Sequence, residues 1–318
     1  MHIDSGILDW LLQGDVSIQY QAYRDLLGEE RPDLQARISE QGWGARFLSK
    51  QLPNGHWGRE FYQPKWTSTH YTLLDLKTLQ ASPDHQAIQT SVEMIATENK
   101  GQDGGINPGK TIKESDVCVN GMFLNYACYF GLNQSHLNSI IDFILSQQLP
   151  DGGFNCQYNR QGARHGSMHS TISLLEGMWE YESNGYDYRI EELKSAAAAA
   201  REFLLIHRLY KSDHSGEIIH KNFLRLSFPG RWYYDILRAL DHFQDARVSW
   251  DRRMSDAVDV LWSKRKTDGR WPLQAKIPGK QHFEMEVPGK PSRWNTLRAM
   301  RVLKRYKVQD IRKKSRAN

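Results

Sequence analysis

Residues 146–157 read SQQLPDGGFNCQ: the end of an apolar, helix-periodic stretch, then a Pro-Asp-Gly turn, then an aromatic residue. Three other stretches repeat the phrase: KQLPNGHWG at 50–58, KGQDGGINP at 100–108 and KRKTDGRWPL at 264–273. A weathered copy, KSDHSGEII, lies at 211–219. Asn54, Asp103 and Asp151 fall about 50 residues apart, and Asp268 follows roughly two periods later. A period of that size marks a repeat architecture, in which units bury their apolar faces only against one another.

Two helical patterns fill each period. One series is apolar-rich: Val16–Leu27, Trp66–Gln80, Asp116–Phe130, Ser167–Glu182, Arg231–Phe243 and Arg293–Tyr306. The other is more charged and amphipathic: Leu34–Ser49, Asp84–Thr97, Gln134–Ser146, Ile190–His207 and Arg252–Lys264, with apolar residues at helical spacing such as Ile140, Phe143 and Ile144. Ser115, Ser135 and Asp251 are candidate caps. Alternating buried and half-exposed helices predict an all-α fold, a single (α/α)6 toroid spanning 1–306, with Ile7–Leu12 or the tail completing the outer layer. Inner helices that each follow an outer one all point the same way. Their N-termini are then expected at one mouth, where dipoles and free N–H groups favour an anion.

Ten Trp, fourteen Tyr and a 39% hydrophobic fraction supply an ample core. The N-terminus lacks signal-peptide character, and no apolar run reaches transmembrane length. Three cysteines (Cys118, Cys128, Cys156) do not make a disulfide framework, and the expected location is cytoplasmic. The net charge of +5 is local: residues 298–318 carry nine Lys/Arg against Asp310 alone, and the rest of the chain is net acidic. A basic tail at 307–318 suits peripheral contact with anionic lipid, or a fraying helix end; without a basic and aromatic module, no nucleic-acid partner is expected.

The phrases at 50–58, 146–157 and 264–273 resemble the Gln/Gly/Trp repeat of the squalene cyclase and protein prenyltransferase superfamily, over about residues 40–306. LSFPGRWYYDILRALDHF (226–243) and HFEMEVPGKPSRWNTLRAMRVL (282–303) resemble stand-alone bacterial squalene-cyclase-like proteins. The resemblance implies a central apolar cavity for an isoprenoid, free or as its diphosphate, and an enzyme of the prenyltransferase or terpene cyclase type. From the prenyltransferases it implies zinc held by Asp116, Cys118 and His169, with the helix N-terminus depressing the Cys118 pKa. From the cyclases it implies a proton donor, Asp116, kept neutral by Glu114, although Val117 stands where that motif has its last carboxylate. The same residues also read as a capping Asp116, a structural Cys118 and a backbone-bonded His169.

Trp66, His70, Trp232, Tyr233, Tyr234 and Trp294 open inner helices and form a candidate wall for a polyene or carbocation, or simply core. Lys65, Lys110, Lys113, Arg164, His165, Arg231 and Arg293 surround the same mouth, and a diphosphate is expected on Arg164, Arg231 and Arg293. Glu284 and Glu286 are a further candidate pair, with Asp103 or Asp235, for a carbohydrate-active (α/α)6 enzyme. A non-catalytic toroid binding a lipid or a protein is the third class.

Overall fold

A computed structural model describes residues 4–109 and 112–307. Among them the chain is helical, with only isolated bridge pairs and no strand. The apolar-rich series becomes α2 (Val16–Gln21, continued by a π-turn, Ala22–Leu27), α5 (Thr69–Thr78), α7 (Val117–Tyr129), α10 (Met168–Ser183), α12 (Ile236–Asp245) and α14 (Arg293–Arg305). Before or between these lie α1 (Ser5–Leu12), α3 (Pro32–Arg37), α4 (Gly42–Leu48), α6 (Gln86–Glu98), α8 (Gln134–Ser146), α9 (Tyr158–Gln161), α11 (Ile190–Ile206) and α13 (Ser255–Ser263). The basic tail from residue 308 onward, and Lys110, lie outside the described residues. No helix among the described residues is long and apolar enough to cross a membrane.

The repeated phrase is a staple. At each copy a Gly at positive φ (Gly55, Gly104, Gly152, Gly269) lets the chain reverse on itself. Leu149 N–H donates to Gly153 O (3.0 Å) and Gly152 N–H to Leu149 O (2.9 Å); Lys266, Arg270 and Gly269 repeat the pair. The residue after the turn then docks on the next apolar helix. Trp57, Phe154 and Trp271 donate their N–H groups to Thr69, Thr171 and Thr296 Oγ1, each at 3.0 Å, and Ile106 donates to Asn120 Oδ1 at 2.7 Å. Both indoles reach back: Trp57 Nε1 to Phe47 O and Trp271 Nε1 to Leu261 O, each at 2.7 Å. Each staple therefore fixes an outer helix to its inner successor and fills buried backbone groups that a free turn would leave unmet.

The apolar residues of both series share one contiguous core from Ile7 to Tyr306. α7 is buried nearly all round. Its contact with α10 runs through Gly121 and Gly177, where an added Cβ would meet Ser173 O at 2.7 Å and Gly121 O at 2.3 Å. Neighbouring inner helices touch in the order α5–α7–α10–α12–α14, and α14 touches α2 and the π-turn. There Arg301 Nη1 donates to Asp25 Oδ2 (2.8 Å) and Lys304 Nζ to Asp25 O (2.9 Å). On the other side of α2, Gln21 Nε2 donates to Thr78 O (3.1 Å) and Arg24 Nη1 to Gln80 Oε1 (2.7 Å).

Two expected helices differ. Leu34–Ser49 breaks into α3 and α4, because Gly42 takes positive φ and its neighbour Trp43 N–H caps onto Asp15 Oδ2 at 2.8 Å. Arg231–Phe243 starts only at Ile236: Arg231 itself has φ 54°, and residues 228–231 turn into the interior before α12 begins.

Candidate functional site

The residues singled out in the sequence separate into caps, packed aromatics and one buried ion pair. Asp116 N-caps α7. Its Oδ1 accepts the Cys118 and Val119 N–H groups (3.1 and 3.2 Å) and the Cys118 thiol (3.0 Å), and its Oδ2 takes Arg160 Nη1 (3.2 Å). Glu114 points to solvent, and only its carbonyl is engaged, by Arg160. Each of these contacts to the Asp116 carboxylate comes from a donor. Cys156, from the third turn phrase, accepts the Cys118 N–H at 3.3 Å and lies 3.1 Å from Ser170 Oγ. Ligand atoms of Asp116, Cys118 and Cys156 all fall within 4.8 Å of one another, and His169 is not in that group. The His169 Nδ1 accepts the Tyr234 N–H at 2.8 Å, and its ring packs edge-on to Phe223, Trp232 and Tyr233. The donor set brought together is thus Asp/Cys/Cys in place of Asp/Cys/His. Its two sulfurs and one carboxylate match zinc in softness and charge, and Asp116, Cys118 and Cys156 would hold the ion. The Cys156 thiol, burial and then Asp116 push the Cys118 pKa well up, opposite to the depression expected at a helix start.

At three of the helix starts expected to favour an anion, the chain's own carboxylates take the free N–H groups. Asp15 caps α2, Asp235 caps α12, and Glu286 accepts the N–H groups of Arg293 (2.7 Å) and Trp294 (3.3 Å) together with the Ser292 hydroxyl. Glu286 is therefore an N-terminal anchor for α14, and Glu284 is exposed. Arg293 donates to Trp10 O (3.0 Å) and lies over its ring, and Arg164 is exposed. Trp232 and Tyr233 stack at 3.9 Å; Trp66 donates to Pro278 O (2.8 Å); Tyr234 donates to Leu209 O; Trp294 stacks on Phe228 at 4.6 Å. His70 sits in the core against Tyr126 Oη at 3.2 Å, its pKa pulled to about 3 by burial and then Arg231.

Open space lies elsewhere. A cavity of about 680 Å³ is lined mainly by the C-terminal halves of the inner helices. Its carboxylates are Asp25, Asp75, Glu176, Glu180, Asp241 and Asp245; its cations are Arg24, Lys77, Arg231, Arg238, Arg247, Arg298, Arg301 and Arg305. Helical spacing creates this lining. Arg238, Asp241, His242 and Asp245 form one stripe of α12; Glu176, Trp179, Glu180 and Ser183 form one of α10; Arg298, Arg301 and Arg305 form one of α14. Cations at these C-terminal ends also match the negative end of each dipole.

Ion pairs organise the walls. Arg238 clamps Glu176 through two bonds (2.8 and 2.7 Å). Asp241 takes Arg298 (3.1 Å) and Arg301 (2.9 Å), Arg301 also reaches Asp25, and Lys77 pairs with Glu180. Arg231 meets Asp75 at 3.1 Å with both side chains almost wholly buried, a contact of charges lacking hydrogen-bond alignment. Burial outweighs Arg231 and raises the Asp75 pKa to about 6. Burial likewise lowers the His242 pKa to about 4, keeping that ring neutral. Asp75 Oδ2, Asn125 Oδ1, Arg231 Nε, His242 Nε2, Trp294 Nε1 and Arg301 Nε are buried polar atoms of this lining without a hydrogen-bond partner among the described residues. Groups of that kind call for water or a polar ligand.

No protein-family model matches this chain, and no curated protein is detectably similar to it.

Proposed function

We propose that the six helix pairs close into an (α/α)6 ring and that the charged cavity is its working centre, taking a small, hydroxyl-bearing, anionic molecule of the acidic-sugar type for acid–base chemistry. The succession of inner-helix contacts, with Arg301 joining the last helix to the first through Asp25, supports closure. The observation that carries the ligand class is the lining: eight cations against six carboxylates, with six buried polar side-chain atoms that make no hydrogen bond among the described residues. A volume of about 680 Å³ suits a small ligand. An isoprenoid chain buried there would strip water from charged walls and return no hydrogen bonds, a cost of several kcal/mol. Cation-rich polar walls instead make bidentate bonds to a carboxylate or phosphate.

A second reading keeps the isoprenoid enzyme. The aromatic cluster of Trp66, Tyr71, Trp232 and Tyr233, with Asp116, Cys118 and Cys156 as zinc ligands, favours it. Calorimetry with D-glucuronate, glucose 6-phosphate and farnesyl diphosphate separates the two. The acidic sugars are expected to bind, and a ligand at 100 times its Kd then stabilises the protein by about 2.7 kcal/mol. Binding of farnesyl diphosphate alone would reverse the ranking.

A further inference from the structure

Five of the six cavity carboxylates are held by a cation: Asp25 by Arg24 and Arg301, Asp75 by Arg231, Glu176 by Arg238, Glu180 by Lys77, and Asp241 by Arg298 and Arg301. The carboxylate of Asp245, the last residue of α12, makes no hydrogen bond or ion pair among the described residues. Two cavity cations, Arg247 and Arg305, have no carboxylate partner there either; Arg305 Nη2 donates to the Arg247 carbonyl at 3.2 Å. One turn before Asp245, on the same stripe, the buried His242 keeps Nε2 without a partner. The unpaired carboxylate, the two exposed guanidiniums without a carboxylate partner and the orphaned imidazole all belong to one cavity.

We infer that this part of the cavity is a proton-coupled anion site: a carboxylate- or phosphate-bearing ligand binds at Arg247, Arg305 and the His242 ring, and Asp245 takes up a proton as it does so. The inference rests on the charged-cavity reading and names the group that reacts to the ligand. Its logic is electrostatic. An anion entering the site meets attraction from the unpaired guanidiniums and repulsion from Asp245, the one cavity carboxylate that no cation contacts directly among the described residues. Protonating Asp245 removes the repulsion and turns the carboxyl into a hydrogen-bond donor to the ligand. The groups facing Asp245 are Lys77 of α5, Glu180 of α10, Asp241 of its own helix, Arg301 of α14 and Arg24 of the π-turn. One side of the residue is open to solvent, yet the crowding of protein around its carboxyl raises its pKa. Lys77 opposes that rise and Glu180 adds to it. An arriving anion pushes in the same direction as Glu180.

The test is isothermal titration calorimetry of the whole chain with D-glucuronate, from pH 4.5 to 8, in paired buffers of different ionisation heat. Wild type is expected to take up a fraction of a proton on binding and to lose affinity by up to ~10-fold per pH unit on the alkaline side. Asp245→Asn is expected to bind with no proton uptake and more tightly than wild type at pH 8. Arg247→Gln is expected to weaken binding about tenfold while retaining the uptake, consistent with loss of one charge-assisted bond. Binding without proton uptake, or with the same uptake in Asp245→Asn, overturns the inference and leaves the cavity reading standing. Absence of D-glucuronate binding at every pH, in wild type and Asp245→Asn alike, overturns both. Unfolding midpoints of both variants equal to wild type establish that the comparison is between folded proteins.

Discussion

Removing the guanidinium beside Asp75 makes a quantitative prediction. Arg231→Met leaves a buried carboxylate with no counter-charge. In the wild type its pKa is about 6, against about 3.9 unfolded. A carboxyl whose pKa rises on folding contributes most below its unfolded pKa, and that contribution is lost as pH rises through the folded value. Ionised Asp75 thus already costs the native state about 3 kcal/mol at pH 7, from a difference of about two units. Without Arg231 burial acts on the carboxyl unopposed and pushes its pKa further up. The added loss is therefore near zero at pH 5 and grows by up to about 1 kcal/mol per pH unit above pH 6. Losing the Arg231 bond to Trp66 O (3.1 Å) and its place over the Trp66 and Tyr71 rings adds about 2 kcal/mol at every pH. Urea unfolding followed by tryptophan fluorescence at pH 5, 6, 7 and 8 reads the slope, and Asp75→Asn in the Arg231→Met background is expected to flatten it. A loss independent of pH, or one growing toward acid, would refute the assignment of Asp75 as the titrating group.

Other consequences are simpler to check. Gly121→Ala forces a methyl into the Ser173 backbone and should lower stability by about 2 kcal/mol or more, whereas Gly230→Ala, with nothing nearer than 3.8 Å, should be close to neutral in thermal melts. Asp151→Ala removes acceptors for the Gly153 (3.0 Å) and Gly166 (2.8 Å) N–H groups and is expected to cost about 1–2 kcal/mol in urea titrations. The raised Cys118 pKa predicts alkylation by iodoacetamide at pH 7.5 at least about tenfold slower than a free thiol; rapid labelling of Cys118 would contradict the packing around it.

Helix order was legible because periodicity and turn chemistry agree: α8 occupies 134–146, the span its apolar spacing predicts, and all four turn phrases reverse at a glycine. Where one residue overrides a periodic run, spacing fails. Gly42 splits a helix, and Arg231 draws its loop inward toward Asp75, delaying α12 by five residues. The cavity was missed for a related reason. Arg238-x-x-Asp241-His242-x-x-Asp245 has helical spacing and was available to be read, but charges on a core helix signal an interior pore only when several helices present theirs to the same space. That is a property of the assembly. The same holds for Cys156: it meets Asp116 and Cys118 from a separate turn, through the fold, and the spacing of those two says nothing of it.

The clasp between Arg301 and Asp25 joins residues 276 positions apart. Synthesis runs from Asp25 toward Arg301, so a nascent chain holds Asp25 against Arg24 alone until the second guanidinium arrives. Until α14 emerges, α2 also lacks the contacts that α14 gives it. The clasp therefore closes only after everything between its two ends has been made, and truncation before residue 301 should leave α2 without it.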